Sequence, residues 1–120
     1  MILVSRILCI IFYAAAGLNH FINPEFYIKL IPHYLPFPEI INGVSGVLEL
    51  VLAIGIIFKR SRSTAVKGLV ILLVLFIPSH VFFISEGSCI KNSLCVHPII
   101  AWLRLIVVHP LLILWALKIK

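Results

Sequence analysis

The chain has 120 residues, 62% of them hydrophobic and 12% charged, and a formal net charge of +6. Soluble domains average about 45–50% apolar and about 25% charged residues, and so small a body has too little interior to hide this apolar excess. The composition excludes an ordinary soluble domain and points to lipid around the outer surface. The ten Lys and Arg residues flank the apolar runs instead of forming one stripe, which argues against a nucleic-acid partner and for a role in topology.

Crossing ~30 Å of hydrocarbon takes about 20 apolar residues in a helix. Four segments reach that length, at about residues 1–22, 40–58, 65–84 and 99–117. Helices are expected because an open strand edge is not satisfied in lipid and the alternating polarity of a barrel is absent. The expected fold is all-α, an integral-membrane four-helix bundle in a single domain, 1–120.

The first segment contains one charge, Arg6, and the small run Ala14-Ala15-Ala16, which together have a signal-peptide look. Its apolar character continues to Phe21 and Ile22, beyond the usual core of a signal, so an uncleaved helix is the favoured reading. The following loop, Asn23 to Glu39, carries four prolines (24, 32, 36 and 38), which preclude one long helix, and aromatics that include Phe26, Tyr27, Tyr34 and Phe37. It reads as an anchor at headgroup level, with a lid over the bundle mouth as the alternative.

The second segment holds Glu49 near its midpoint. Asn42, Gly46, Glu49 and Ala53 share one helix face, small and polar enough to turn inward against a neighbour. Helix one offers a matching stripe of Ser5, Cys9, Ala16 and His20, with Asn19 adjacent. The third segment begins with Lys67 near its start and carries Ser79 and His80 towards its outer end; the fourth contains Arg104. From the ~1.5 Å helical rise, Arg104 lies roughly 8 Å and Glu49 roughly 15 Å from the outer ends. An ionisable group at that depth normally faces the bundle interior and has a partner. The expectation is a Glu49–Arg104 pair, with Asn19, His20, Ser79 and His80 opening outward above it. One reading gives this cluster only the setting of helix register. The other makes it a pocket for protons or a quinone-like head group.

Arg6, Lys59, Arg60, Arg62, Lys67, Lys118 and Lys120 fall on one side of this bundle, against Lys29 and Lys91 on the other. Seven against two places both termini and the middle loop in the cytoplasm, with a bacterial inner membrane as the expected location.

Of the remaining histidines, His109 reads as a packing residue in helix four, and His33 and His97 as solvated loop residues. No pair has ligand spacing such as His-x-x-x-His, so no metal is expected. Cys89 and Cys95 share the outer loop, where an oxidising compartment permits a disulfide. They read as a staple for a short loop, or as a redox-active pair, although reactive pairs are more typically Cys-x-x-Cys. Cys9 reads as a buried small apolar residue. There is no phosphate loop and no nucleophile elbow, and no reaction is assigned.

The stretch Gly17-Leu18-Asn19-His20-Phe21-Ile22-Asn23-Pro24 with Phe26 and Pro32-His33-Tyr34-Leu35-Pro36, then Ser45-Gly46-Val47-Leu48-Glu49, Ile77-Pro78-Ser79-His80 and Leu103-Arg104-Leu105 with Trp115, resembles the DoxX-like family of small four-helix membrane proteins over nearly the whole chain. His80 stands where that pattern has Asn, and Val108 with His109-Pro110 stands where Pro and Gln follow the Arg, so the hydrogen bonding of the site differs. Relatives include subunits of thiosulfate:quinone oxidoreductase, and related MauE-type proteins are linked to disulfide formation. The resemblance implies a membrane subunit or partner of a redox system that binds a quinone or another small lipophile, with membrane or periplasmic redox proteins as partners and a homo-oligomer allowed. Its matching polar positions are His20, Glu49 and Arg104. The alternative is a non-catalytic assembly or scaffold protein of a membrane complex.

Overall fold

Long apolar runs pair their backbone N–H and C=O groups locally, and the helical pairing dominates throughout. The computed structural model describes residues 1–120 and contains no strand. Its elements are α1 (Ile2–Ile22), α2 (Pro24–Ile28), α3 (Pro38–Ile57), α4 (Arg62–Leu75), α5 (Ile77–Ser85), α6 (Pro98–Leu103), a π-helical turn (Arg104–Val108) and α7 (His109–Lys118). Taken across their breaks they make four helices long and apolar enough to cross a membrane: Ile2–Ile22, Pro38–Ile57, Arg62–Ser85 and Pro98–Lys118.

Three helix starts follow from proline at the first helical position (Pro24, Pro38 and Pro98), where the missing N–H would have had no partner. The short helix α2 inside the first loop is one of these; at five residues it is too short to show as an apolar run. Two further prolines shape the long helices from within. Pro78 cannot donate to the preceding turn, and the third long helix breaks at Phe76 into α4 and α5. Pro110 does the same in the fourth, where the His109 N–H reaches back five residues to the Arg104 carbonyl and makes the π turn.

Helix α1 packs on α3, α3 on α4, and α4 on α7. The inward face of α3 is Asn42, Gly46, Glu49, Ala53 and Ile56. That of α1 is Cys9, Tyr13, Gly17 and His20. Tyr13 and Gly17 therefore belong to a stripe expected to hold Ser5 and Ala16, which are only half-buried. The two helices meet through glycine: a Cβ on Gly17 would stand 2.9 Å from the Gly46 carbonyl oxygen, and one on Gly46 would stand 2.8 Å from the His20 Cβ. Small residues let the backbones approach this closely.

At the basic end, the start of α1 meets the end of α7. Trp115 Nε1 donates to Ser5 Oγ (2.8 Å) and Arg6 Nε to the Ile119 carbonyl (3.3 Å). Arg62 Nε and Ser61 Oγ cap the last carbonyls of α3, at Ile56 (2.9 Å) and Gly55 (2.8 Å). Both termini and the α3–α4 turn thus share one end. The core of that half is a cluster of ten side chains drawn from α1, α3, α4 and α7 with Ile119, among them Cys9, Tyr13, Ile56, Leu69 and Ala116. A second, smaller cluster, Leu30, Phe83 and Ala101, lies at the opposite end. The polar site lies between them.

The first loop packs down on the bundle instead of lying out flat. Leu30 is buried, Ser79 Oγ donates to the Leu30 carbonyl (2.7 Å), and Ser93 Oγ donates to the Phe26 carbonyl (2.8 Å). Only Tyr34 and Phe37 of its four aromatics are exposed.

Candidate functional site

The breaks made by Pro78 and Pro110 set up the site. Near the break in the third long helix, the Leu73 carbonyl accepts from the Phe76 N–H (3.2 Å) and also from His109 Nε2 of the fourth. The His109 ring meets that of His80 edge-on at 4.7 Å. On the other side of the bundle, the Gly17–Gly46 crossing brings His20 against α3. Asn42 Nδ2 donates to the His20 carbonyl (3.0 Å), which turns Asn42 Oδ1 towards the ring, 2.7 Å from His20 Nδ1. An amide oxygen only accepts, so His20 Nδ1 carries a hydrogen. The other ring nitrogen, Nε2, lies 3.3 Å from Glu49 Oε2. Two acceptors at that distance repel, so a single proton held between Nε2 and the carboxylate completes the row Asn42–His20–Glu49.

The expected partnership of Glu49 with Arg104 is replaced by this one. The two ion pairs of the chain are His20–Glu49 and Lys29–Glu25. The Arg104 guanidinium instead lies over the Phe83 ring at 5.7 Å, in cation–π range. Depth along separate helices suggested the pair, but the close crossing of α1 and α3 gives His20 first access to the carboxylate.

His20, Glu49, His80, Arg104 and His109 line one cavity of about 250 Å³, between the two apolar clusters. Ile31, Pro32 and Leu35 of the first loop form part of its wall. Asn19 stands apart: it donates to Tyr27 Oη (2.7 Å), and the Tyr27 ring stacks on His20 at 3.9 Å. Asn19 therefore holds the ring that covers His20. His97 accepts from the Ile99 N–H and begins α6, and His33 lies edge-on to Phe82 at 4.9 Å. No three His, Cys, Asp or Glu side chains converge as metal ligands.

Two members of the site lay outside the expectation. His109 is buried against Leu73 as a packing histidine would be, and it also lines the cavity. Tyr13 is 2% exposed and its hydroxyl has no hydrogen-bond partner; Glu49 Oε2 likewise has no aligned donor. The four-, four- and three-residue spacing from Cys9 through Tyr13 and Gly17 to His20 was the signal that would have found Tyr13.

Cys89 and Cys95 are disulfide-bonded across a tight turn, with Cα atoms 3.9 Å apart. The turn is closed by Ile90 N to Leu94 O (2.9 Å) and Val96 N to Ser88 O (3.0 Å), and Gly87, Ser88 and Asn92 have positive φ.

Residues 8–120 match the family described as Domain of unknown function (DUF8561). The chain belongs to this family. The match begins within α1 and takes in every residue of the cavity. No curated protein and no solved structure matches the DUF8561 chain.

Proposed function

We propose that this DUF8561 protein is a multi-pass membrane protein whose outer-half cavity binds the ring head group of a quinone-like lipophile, as a small subunit or partner of a membrane redox system. The observation that carries the reading is the cavity itself, which joins apolar walls to a few convergent polar groups: His20 with Glu49, His80 and Arg104. Drug-sized ligand sites run to about 300–1,000 Å³, so about 250 Å³ suits a ring and not a long tail. A tail has a route out, because Phe12 and Leu75 both line the cavity and are 45% and 65% exposed on the apolar exterior.

The membrane setting is supported by the four long apolar helices and by what they leave outside. Only 22 of 120 residues are buried, while Ile11, Val51, Ile54, Ile71, Ile106 and Leu114 stand exposed on the long helices. An apolar surface of this extent marks contact with lipid or protein. The basic residues gather at the end that holds both termini, which supports a cytoplasmic placement of that end. The disulfide at the opposite end fits an oxidising compartment.

A quinone offers carbonyl acceptors, which Arg104 can meet with charge-assisted hydrogen bonds. Without a ligand that guanidinium has only the Phe83 ring, a poor substitute for the hydration lost in an apolar span. The resemblance to DoxX-like proteins supports the same ligand class. The experiment is lipid extraction from the protein purified in mild detergent. Quinone is expected to co-purify with the native chain and to fall several-fold with Arg104→Ala. Equal, trace amounts in both would favour the scaffold reading.

A further inference from the structure

The Tyr13 hydroxyl is buried, lines the cavity and lacks a hydrogen-bond partner, and Glu49 Oε2, buried on the same cavity, has only the 3.3 Å contact with His20 Nε2 and no aligned donor. Buried polar atoms left in this way cost stability, and a pocket that keeps a hydroxyl and an acceptor-only carboxylate is shaped for a ligand with a hydrogen-bonding group that can donate to the carboxylate. Their placement is not accidental to the fold. Gly17, one turn beyond Tyr13 on the same face of α1, lies against Glu49: a Cβ there would meet the Glu49 Cβ at 3.1 Å. The glycine crossing therefore puts the tyrosine and the carboxylate on the α1–α3 side of the cavity.

The rest of the row leaves Glu49 free to accept. Asn42 fixes the hydrogen of His20 on Nδ1, so the ring offers Glu49 at most one proton, through Nε2. A carboxylate has four lone-pair positions, and His20 engages part of one oxygen. Arg104, which reaches the cavity from the fourth long helix, has the reverse character: it is donor-only and has no carboxylate partner. A ligand that satisfies both must carry a hydrogen at one end and an acceptor oxygen at the other. The rings of Tyr27 and Phe76, both lining the cavity, favour a flat aromatic body between those ends.

From these observations we infer that the cavity takes a ring-bearing lipophile in its hydroxylated form, a hydroquinone or related phenol, with the hydroxyl hydrogen-bonded to Glu49 and Tyr13 and a second oxygen facing Arg104. The inference rests on the head-group reading above and sharpens it from quinones in general to the hydroxyl-bearing state. An oxidised quinone has acceptors at both ends, so it can take a hydrogen from Tyr13 but leaves the Glu49 carboxylate unmatched; sites built to bond a hydroxyl discriminate strongly against analogues that lack it.

Calorimetric titration of the protein in lipid nanodiscs tests this, with a short-chain alkyl hydroquinone kept reduced by ascorbate and the matching quinone titrated without it. The two rings are nearly the same size, so the comparison isolates the hydrogens. The hydroquinone is expected to bind about tenfold more tightly or better, the worth of a hydrogen bond to a charged group. Tyr13→Phe and Glu49→Gln are each expected to shrink that ratio several-fold. If Glu49→Gln fails to fold, Tyr13→Phe, which removes one atom, carries the test alone. Equal or tighter binding of the quinone by the native protein would overturn the inference while leaving the cavity as a head-group site, with ordered water as the partner of the two atoms. Binding of neither probe would overturn both.

Discussion

The Asn42 amide is the residue on which the site's proton arrangement turns. It uses both its nitrogen and its oxygen on His20, to the carbonyl and to Nδ1. Replacing it with Leu leaves a buried carbonyl and a ring nitrogen without partners, at about 1–3 kcal/mol for each orphan. Asn42→Leu is expected to lower the thermal midpoint in detergent and to weaken ligand binding. The double variant with His20→Ala should fall short of additivity, because the second change removes the ring nitrogen orphaned by the first while the backbone carbonyl stays. Additive losses would mean that the two side chains act independently. Much of this site was legible at residue scale: the cost of burying Glu49 and the helical spacing of Asn42, Gly46 and Glu49 placed the right face of α3 inward. The partner of Glu49 was not legible, since rise per residue gives depth but neither the rotation of α1 nor its distance from α3. Tyr13 was hidden for a different reason: among so many apolar neighbours an aromatic ring reads as packing, and its hydroxyl becomes informative only when its surroundings are known.

At the scale of elements, two kinds of glycine separate cleanly. Gly46 sits in the α1–α3 crossing, where a Cβ would press on His20 and come within 2.8 Å of a Phe21 ring carbon. Gly43, one turn nearer the start of α3, has nothing within 4 Å of the same position. Gly46→Val should destabilise the protein by about 1–3 kcal/mol through overpacking, whereas Gly43→Ala should be neutral or stabilising by a few tenths to about 1 kcal/mol. Thermal unfolding followed by circular dichroism in detergent distinguishes them, and a Gly46→Val protein as stable as the native one would remove the crossing from the account. The ends of the four long helices stood within about three residues of where composition put them, because prolines and charges mark those ends directly. The break at Phe76 and the π turn at Arg104–Val108 were not visible, although the prolines that cause them were. A proline inside a helix announces a break and leaves open which side chain of a neighbouring helix meets the backbone there; here His109 donates to the Leu73 carbonyl.

The whole molecule divides into a basic, well-packed half and a half that carries the cavity, the first loop and the disulfide. Apolar excess and charge asymmetry made that polarity legible from the start, since both are properties of the whole chain. The tie between the two outer loops, Ser93 to Phe26, needed the fold. The Cys89–Cys95 bridge closes a loop with a sequence separation of 6, for which chain entropy gives about 2–3 kcal/mol. Cys89→Ser with Cys95→Ser is therefore expected to lower the thermal midpoint of the purified protein. An unchanged midpoint would mark the bridge as dispensable to the fold. Topology has its own check in intact cells of a bacterial host. An Arg60→Cys variant on a background without the native cysteines should resist an impermeant maleimide until the membrane is opened. In the chain with its native cysteines, Cys89 and Cys95 should react from outside once reduced.

The central claim is that the cavity bounded by His20, Glu49, His80 and Arg104 holds a ring head group. The most direct measurement is photo-crosslinking in nanodiscs with a quinone analogue that carries a photoreactive group on its ring, followed by peptide mapping. Label is expected on cavity-lining residues of α1, α3 and α5, such as Tyr13, Ser45 and Ser79, and is lost on competition with unmodified quinone or hydroquinone. Label spread over the exposed apolar faces, around Ile54, Ile71 and Ile106, and insensitive to competitor would contradict it.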